Sequence, residues 1–206
     1  MDIFNVIHPS AIVSPSVRLG ENNYIGPFCH ITGNTVIGDN NRFESHCSIG
    51  TPPEHTDMFF YENGKTIIGN NNVFREYTSV HSGATRATSI GNNNYFLRGS
   101  HVGHDTIIEN FVHLACNVLI GGYSYLMDGV KFGLGSVCHQ RSKIGAYVMI
   151  GMSSVITKTS KILPGNVYVG SPVKFLKRND YGLTNNGITD ENLNEIIKRY
   201  NSIETL

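Results

Sequence analysis

The chain has no tryptophan, no net charge and no long hydrophobic run. Sixteen Lys and Arg balance sixteen Asp and Glu over 206 residues, which removes the electrostatic footprint of a nucleic-acid binder or of a protein held on an anionic membrane. No apolar stretch approaches the length that crosses a bilayer. The opening Met1-Asp2-Ile3-Phe4-Asn5 also lacks the basic start and apolar run of a secretory signal. These features predict a cytoplasmic protein with no nucleic-acid partner and no membrane insertion. Cys29, Cys47, Cys116 and Cys138 are few and far apart, without the spacing of a metal or redox motif; they are expected as buried free thiols. The length suits one domain with a continuous core.

What the chain does have is a period of six. Ile90, Phe96, Val102, Ile108, Leu114, Ile120, Leu126, Phe132, Cys138, Ile144, Ile150 and Ile156 recur without a miss, and Ile7, Val13, Leu19, Ile25, Ile31, Ile37, Phe43 and Ile49 obey the same rule. With 40% of residues hydrophobic, two such runs mark a true internal repeat. A helix would scatter these positions around its surface. A short strand and a turn suit the period: three units make a triangular coil, and coils stack through backbone hydrogen bonds about 4.8 Å apart. Glu21-Asn22-Asn23, Asp39-Asn40-Asn41, Asn70-Asn71-Asn72 and Asn92-Asn93-Asn94 each follow a Gly and supply residues that tolerate left-handed backbone at the corners. The expected fold is all-β, a parallel β-helix of hexapeptide repeats with a short C-terminal α-helix.

The pattern breaks in few places. Residues 51–67 carry two prolines, Asp57 and the aromatics Phe59, Phe60 and Tyr61, and are expected to loop out from a corner as one wall of a cleft. A shorter interruption lies at Gly83 to Ala87. The β-helix is expected over 1–173, followed by a polar, irregular linker and a helix over 174–206. Thr189 is the expected N-cap, Ile188 and Leu193 a hydrophobic staple, and Leu193, Ile196, Ile197, Tyr200 and Ile203 the apolar stripe. That helix is expected to cap the open end of the prism or to pack on a neighbouring subunit.

Several stretches resemble the hexapeptide-repeat acyltransferases, in particular the branch that begins lipid A synthesis by moving an acyl chain from acyl carrier protein to UDP-N-acetylglucosamine. They are His8-Pro9-Ser10-Ala11-Ile12-Val13, Ile25-Gly26-Pro27-Phe28-Cys29, Ser100-His101-Val102-Gly103-His104-Asp105, Val137-Cys138-His139-Gln140 and Ile144 to Gly151. The resemblance implies a left-handed coil, a handedness that periodicity alone does not reveal. It implies His104 as general base and Asp105 as the group that orients it. His81, His101 and Asp57 would contact the sugar, and His139 and Gln140 would lie near the nucleotide and acyl chain. The family has a further acceptor-binding His where Gly122 stands here, and an Arg pair on the nucleotide phosphates where Asn185 and Asn186 stand. Gly170-Ser171-Pro172-Val173-Lys174 resembles the tail of coenzyme A-dependent sugar acetyltransferases, so the donor expected is acyl carrier protein or CoA carrying the acyl thioester, with no permanently bound cofactor and no metal.

The chemistry agrees with the resemblance. Acyl transfer to an alcohol needs a proton removed as the thioester carbonyl is attacked, and a neutral imidazole suits that near pH 7. An adjacent carboxylate fixes its tautomer, and a backbone amide of Gly121 or Gly122 is the candidate oxyanion donor. The expected enzyme is an acyltransferase that acylates a hydroxyl or amine of a nucleotide-linked sugar, working as a homotrimer because a narrow prism alone leaves its active His on a flat face. The alternatives are a CoA-dependent N-acetyltransferase of a nucleotide-linked amino sugar, a γ-carbonic-anhydrase-like zinc enzyme drawing on His101, His104 and His113, and a non-catalytic β-helix.

Overall fold

A computed structural model describes residues 4–58 and 64–204 of the chain. The expected aromatics Phe59, Phe60 and Tyr61 lie outside the described residues. Most strands are two residues long, and each pairs in parallel with the strand one coil onward, as in Val6↔Tyr24, Tyr24↔Arg42 and Arg42↔Val73. The result is three sheets of ten, eight and seven strands among the described residues. Every sixth residue points inward: Ile25, Ile31, Phe43, Phe74, Phe96, Leu114 and Ile120 are fully buried in one core running along the prism. Phe43, Phe74 and Phe96 stack with centroids 4.7 Å apart at both steps, the spacing of adjacent strands. Identical side chains thus fill successive layers.

The asparagine triplets divide the work at one corner. The first residue takes an amide from the preceding coil, as when Asn70 N–H donates to Asn92 Oδ1 at 2.7 Å. The second turns the chain, with φ near +58° at Asn40, Asn71 and Asn93. The third enters a buried ladder in which Asn41 N–H donates to Asn23, Asn72 to Asn41 and Asn94 to Asn72, all at 2.8–2.9 Å. The ladder ends where Val112 N–H donates to Asn94 Oδ1, and the same corner is then filled by buried Val112, Val130 and Val148.

Two excursions leave the coils. The first is shorter than the expected 51–67, because strands Ser48–Thr51 and Lys65–Ile68 continue the ladder on both sides; the alternation of buried Thr66, exposed Ile67 and buried Ile68 is a strand signal. It contains a short 3₁₀ turn at Thr56–Met58. The second, at 83–87, returns at once to strand Thr88–Ile90.

The stretch expected to be irregular after residue 173 is ordered. Strand Lys174–Arg178 runs antiparallel to Asn166–Val169, and helix α1 spans Asp180–Asn185. The strand is exposed along its length, so burial left no alternating pattern to read. Helix α2, Asp190–Ser202, starts at Thr189 in a capping box completed by Asn192 rather than the usual Glu or Gln. It packs on the flank of its own coils, not over their open end. Tyr200 is buried with Met127 and Ala146, Lys143 Nζ donates to the Tyr200 and Ile203 carbonyls at 2.8 Å, and Arg199 pairs with Glu109 and Asp128. Among the described residues no helix is long and apolar enough to cross a membrane.

Candidate active site

The eight-stranded sheet sets the histidines in line. Strands Ser79–His81 and His101–Val102 are parallel neighbours with Ser79 opposite His101, and the imidazoles of His81 and His101 lie with centroids 5.3 Å apart. Each is fixed through Nδ1: His81 donates to the Pro52 carbonyl at 2.7 Å, and His101 meets Ser79 Oγ at 2.9 Å. Their Nε2 atoms face the same carboxylate, Glu54, at 3.4 Å for His81 and 3.2 Å for His101. Burial lowers the His101 pKa, and neighbouring Glu54 opposes the shift without reversing it. Burial thus favours the neutral imidazole at His101.

One turn further, His104 pairs with Asp105. His104 Nδ1 is 2.7 Å from Asp105 Oδ2. Asp105 is wholly buried and sits at a corner with φ +59°, a left-handed conformation that Asp accepts more readily than most residues. The second excursion wraps its carboxylate. Ala84 N–H donates to Oδ2 at 2.9 Å, while Thr85 N–H, Thr85 Oγ1 and Arg86 N–H donate to Oδ1 at 2.7, 2.8 and 2.7 Å. Arg86 Nε also donates to the Asp105 carbonyl at 2.7 Å. Burial alone would raise this carboxyl's pKa, but the hydrogen bonds from His104 and from the amides of Arg86, Ala84 and Thr85 outweigh it and hold the group well below the usual carboxylate range. A permanently ionised acceptor on Nδ1 leaves the His104 lone pair on Nε2.

Gly122 occupies the next coil at the same corner, where Tyr123 N–H donates to the His104 carbonyl at 2.9 Å. A Cβ on Gly122 would stand 3.0 Å from His104 Nε2, so glycine keeps the basic nitrogen uncovered. The two candidate oxyanion donors differ: Gly121 N–H is committed to the Cys138 carbonyl at 2.9 Å, whereas Gly122 N–H takes no part in the coil-to-coil ladder among the described residues. One coil further, His139 and Gln140 are exposed, with His139 Nδ1 donating to the Gln140 carbonyl at 2.8 Å.

Not every expected residue joins this group. Asp57 points to solvent, its side chain 85% exposed and 3.9 Å from His55; Glu54 is the acid the structure brings to His81 and His101. Chemistry inside a loop has no periodicity to read, but Pro52-Pro53 was a usable signal, since two prolines stiffen the chain immediately before Glu54. The clasp around Asp105 had no signal beyond the break at 83–87. The zinc set of His101, His104 and His113 is not assembled: His113 lies in the ten-stranded sheet beside Tyr95, and His104 Nδ1 is committed to Asp105. Asn186 lines a separate pocket of about 290 Å³ with Tyr147, Asn179 and Tyr181. A cleft of about 630 Å³ borders the cluster and is lined by Thr51 to Thr56 and His81. A neighbouring one of about 510 Å³ runs from Thr51 and Pro52 toward Ser16 and His30 and holds none of the His104 machinery.

Comparison with known proteins points to one group of transferases. Residues 16–51 match the family model described as bacterial transferase hexapeptide, six repeats. The chain is 30% identical over 218 residues to the acyl carrier protein-dependent UDP-N-acetylglucosamine O-acyltransferase of Rhizobium johnstonii, covering 96% of this chain and 79% of that enzyme. It superposes on the UDP-N-acetylglucosamine acyltransferase of Francisella novicida with a TM-score of 0.79 and 27% identity, covering 95% of this chain and 78% of the other. For the UDP-N-acetylglucosamine O-acyltransferase of Moraxella catarrhalis the figures are 0.79, 27%, 94% and 82%. These neighbours are left-handed parallel β-helices, and so is this chain.

Proposed function

The chain belongs to the family of acyl carrier protein-dependent UDP-N-acetylglucosamine O-acyltransferases, and from that premise we propose that it moves an acyl group from the thioester of acyl carrier protein to a sugar hydroxyl of UDP-N-acetylglucosamine. The observation that carries the mechanism is a His104 whose Nδ1 is held by a buried, ionised Asp105 and whose Nε2 lies beside Gly122, which has no side chain to cover it.

In this reading Nε2 takes the proton of the acceptor hydroxyl as its oxygen attacks the thioester carbonyl carbon. Negative charge collects on the carbonyl oxygen, and Gly122 N–H donates to it. The carbon–sulfur bond then breaks, and the imidazolium returns its proton to the leaving thiolate. Asp105 stays ionised throughout and stabilises the imidazolium. His81, His101 and Glu54 orient the sugar, while His139 and Gln140 lie toward the nucleotide and acyl chain. The enzyme works in the cytoplasm as a homotrimer, with a second prism supplying the far wall of the groove, and needs no bound cofactor.

The test is a donor-by-acceptor panel. Acyl carrier protein and CoA thioesters are each offered with UDP- and dTDP-linked sugars, and free thiol and acylated product are measured together. Acyl transfer to UDP-N-acetylglucosamine from acyl carrier protein is expected. Transfer only from acyl-CoA to an amino sugar would replace this reading with the N-acetyltransferase one, and thioester stable against every acceptor would end both.

A further inference from the structure

We propose that Glu54, His81 and His101 form a binding site for a divalent transition ion of the zinc class. The inference starts from hydrogen bonding within the apoprotein. A carbonyl only accepts, so the 2.7 Å contact with Pro52 O puts a proton on His81 Nδ1 and leaves Nε2 as the nitrogen turned toward a ligand. That Nε2 faces a carboxylate oxygen of Glu54 3.4 Å away, and metal binding would use the lone pair it presents once its proton is lost. A bound divalent ion would take the place of the Nε2 proton between imidazole and carboxylate. His101 offers the same arrangement: its Nδ1 meets Ser79 Oγ at 2.9 Å, and its Nε2 is directed at the second Glu54 oxygen at 3.2 Å.

The dimensions fit an ion. With metal–nitrogen and metal–oxygen bonds of about 2.0–2.2 Å, the edge of a tetrahedron is about 3.3–3.5 Å. His81 Nε2 lies 3.4 Å from one Glu54 oxygen and His101 Nε2 3.2 Å from the other, and the ligand atoms of all three residues lie within 4.8 Å of one another. Two imidazole nitrogens and one carboxylate oxygen form a donor set suited to zinc. The contacts of Nδ1 with a backbone carbonyl and a hydroxyl are the support that fixes ring orientation in such sites. The two strands hold the imidazoles in register, and Pro52-Pro53 bring the carboxylate over them, so little ordering is required on binding. A fourth position stays free for water or for an oxygen of a bound ligand.

Binding is tested on the full chain after dialysis against a chelator, by calorimetric titration with Zn²⁺ and by the visible absorption of added Co²⁺. One ion per chain is expected, with the intense visible bands of tetrahedral cobalt. Glu54→Gln and His81→Gln should abolish the bands, Ser79→Ala should weaken binding by about 10–100-fold, and His113→Gln should change nothing. Unchanged thermal unfolding of each variant excludes a folding defect. Absence of stoichiometric binding, or binding that persists in the Glu54→Gln/His81→Gln double variant, would overturn the assignment. The titration contains neither sugar nor thioester, so its failure leaves the acyl-transfer reading untouched.

Discussion

Replacing Asp105 by Asn changes one atom and separates two roles. The carboxylate accepts four hydrogen bonds from residues 84–86 and one from His104. A carboxamide cannot accept all five. With its NH₂ in the Oδ1 position it would confront Thr85 N–H, Thr85 Oγ1 and Arg86 N–H; in the Oδ2 position it confronts only Ala84 N–H and His104. The second orientation is cheaper. It leaves one buried amide without its acceptor, at about 1–3 kcal/mol, and weakens the remaining bonds by removing their charge assistance. We expect a stability loss of about 2–4 kcal/mol. The same orientation forces His104 to accept at Nδ1 and carry its proton on Nε2, the tautomer that cannot act as a base. Acyl transfer should fall by about 10²–10⁴, or about 3–5 kcal/mol in the barrier.

The pH dependence is a separate signature of the same residue. The folded pKa of Asp105 is depressed, so its contribution to stability is complete above the unfolded value of about 3.9 and is lost as pH falls from there toward the folded value. Urea unfolding of both proteins should show a gap that is constant from about pH 5 to 8 and narrows below about pH 4. Steady-state rates at pH 7 with acyl carrier protein thioester supply the second axis. An Asn variant within a few-fold of wild-type activity, or a stability gap as wide at pH 3 as at pH 7, would refute the account of this carboxylate.

Other variants probe the remaining parts. His104→Ala should keep the fold, read by circular dichroism, and lower transfer by about 10²–10⁴; near wild-type rates would place the base elsewhere. Gly122→Ala sets a methyl 3.0 Å from His104 Nε2, and we expect at least a ~10²-fold fall in kcat/KM with little change in the midpoint of unfolding. Joining Thr51 to Lys65 through a two-residue turn removes Glu54 and should raise the KM for the nucleotide sugar far more than that for the thioester. Sedimentation at micromolar concentration should find a trimer, and a monomer would deny the site its second wall.

The sequence was most legible where the fold is most regular. A period of six that carries Ile25, Phe43, Phe74 and Phe96 into the core has one physical solution, because the inward position must meet itself in every coil. His104 and Asp105 were legible for a related reason: they occupy repeat positions, so their place on the prism followed from counting. What lay outside the count was not legible. Glu54 and the amides of residues 84–86 belong to excursions whose paths depend on where the chain rejoins the coil, and the choice of Asp57 over Glu54 had no periodicity to correct it. The strand at Lys174–Arg178 escaped because it is exposed throughout and its pairing with Asn166–Val169 is made by backbone alone. The excursions are also where the site is completed. A bare prism would present imidazoles on a flat wall, whereas one break in the repeat brings a carboxylate across His81 and His101 and the other closes a ring of amides around Asp105. The repeat therefore sets the spacing of the chemistry, and its interruptions supply the carboxylate over the imidazoles and the amides that keep Asp105 ionised.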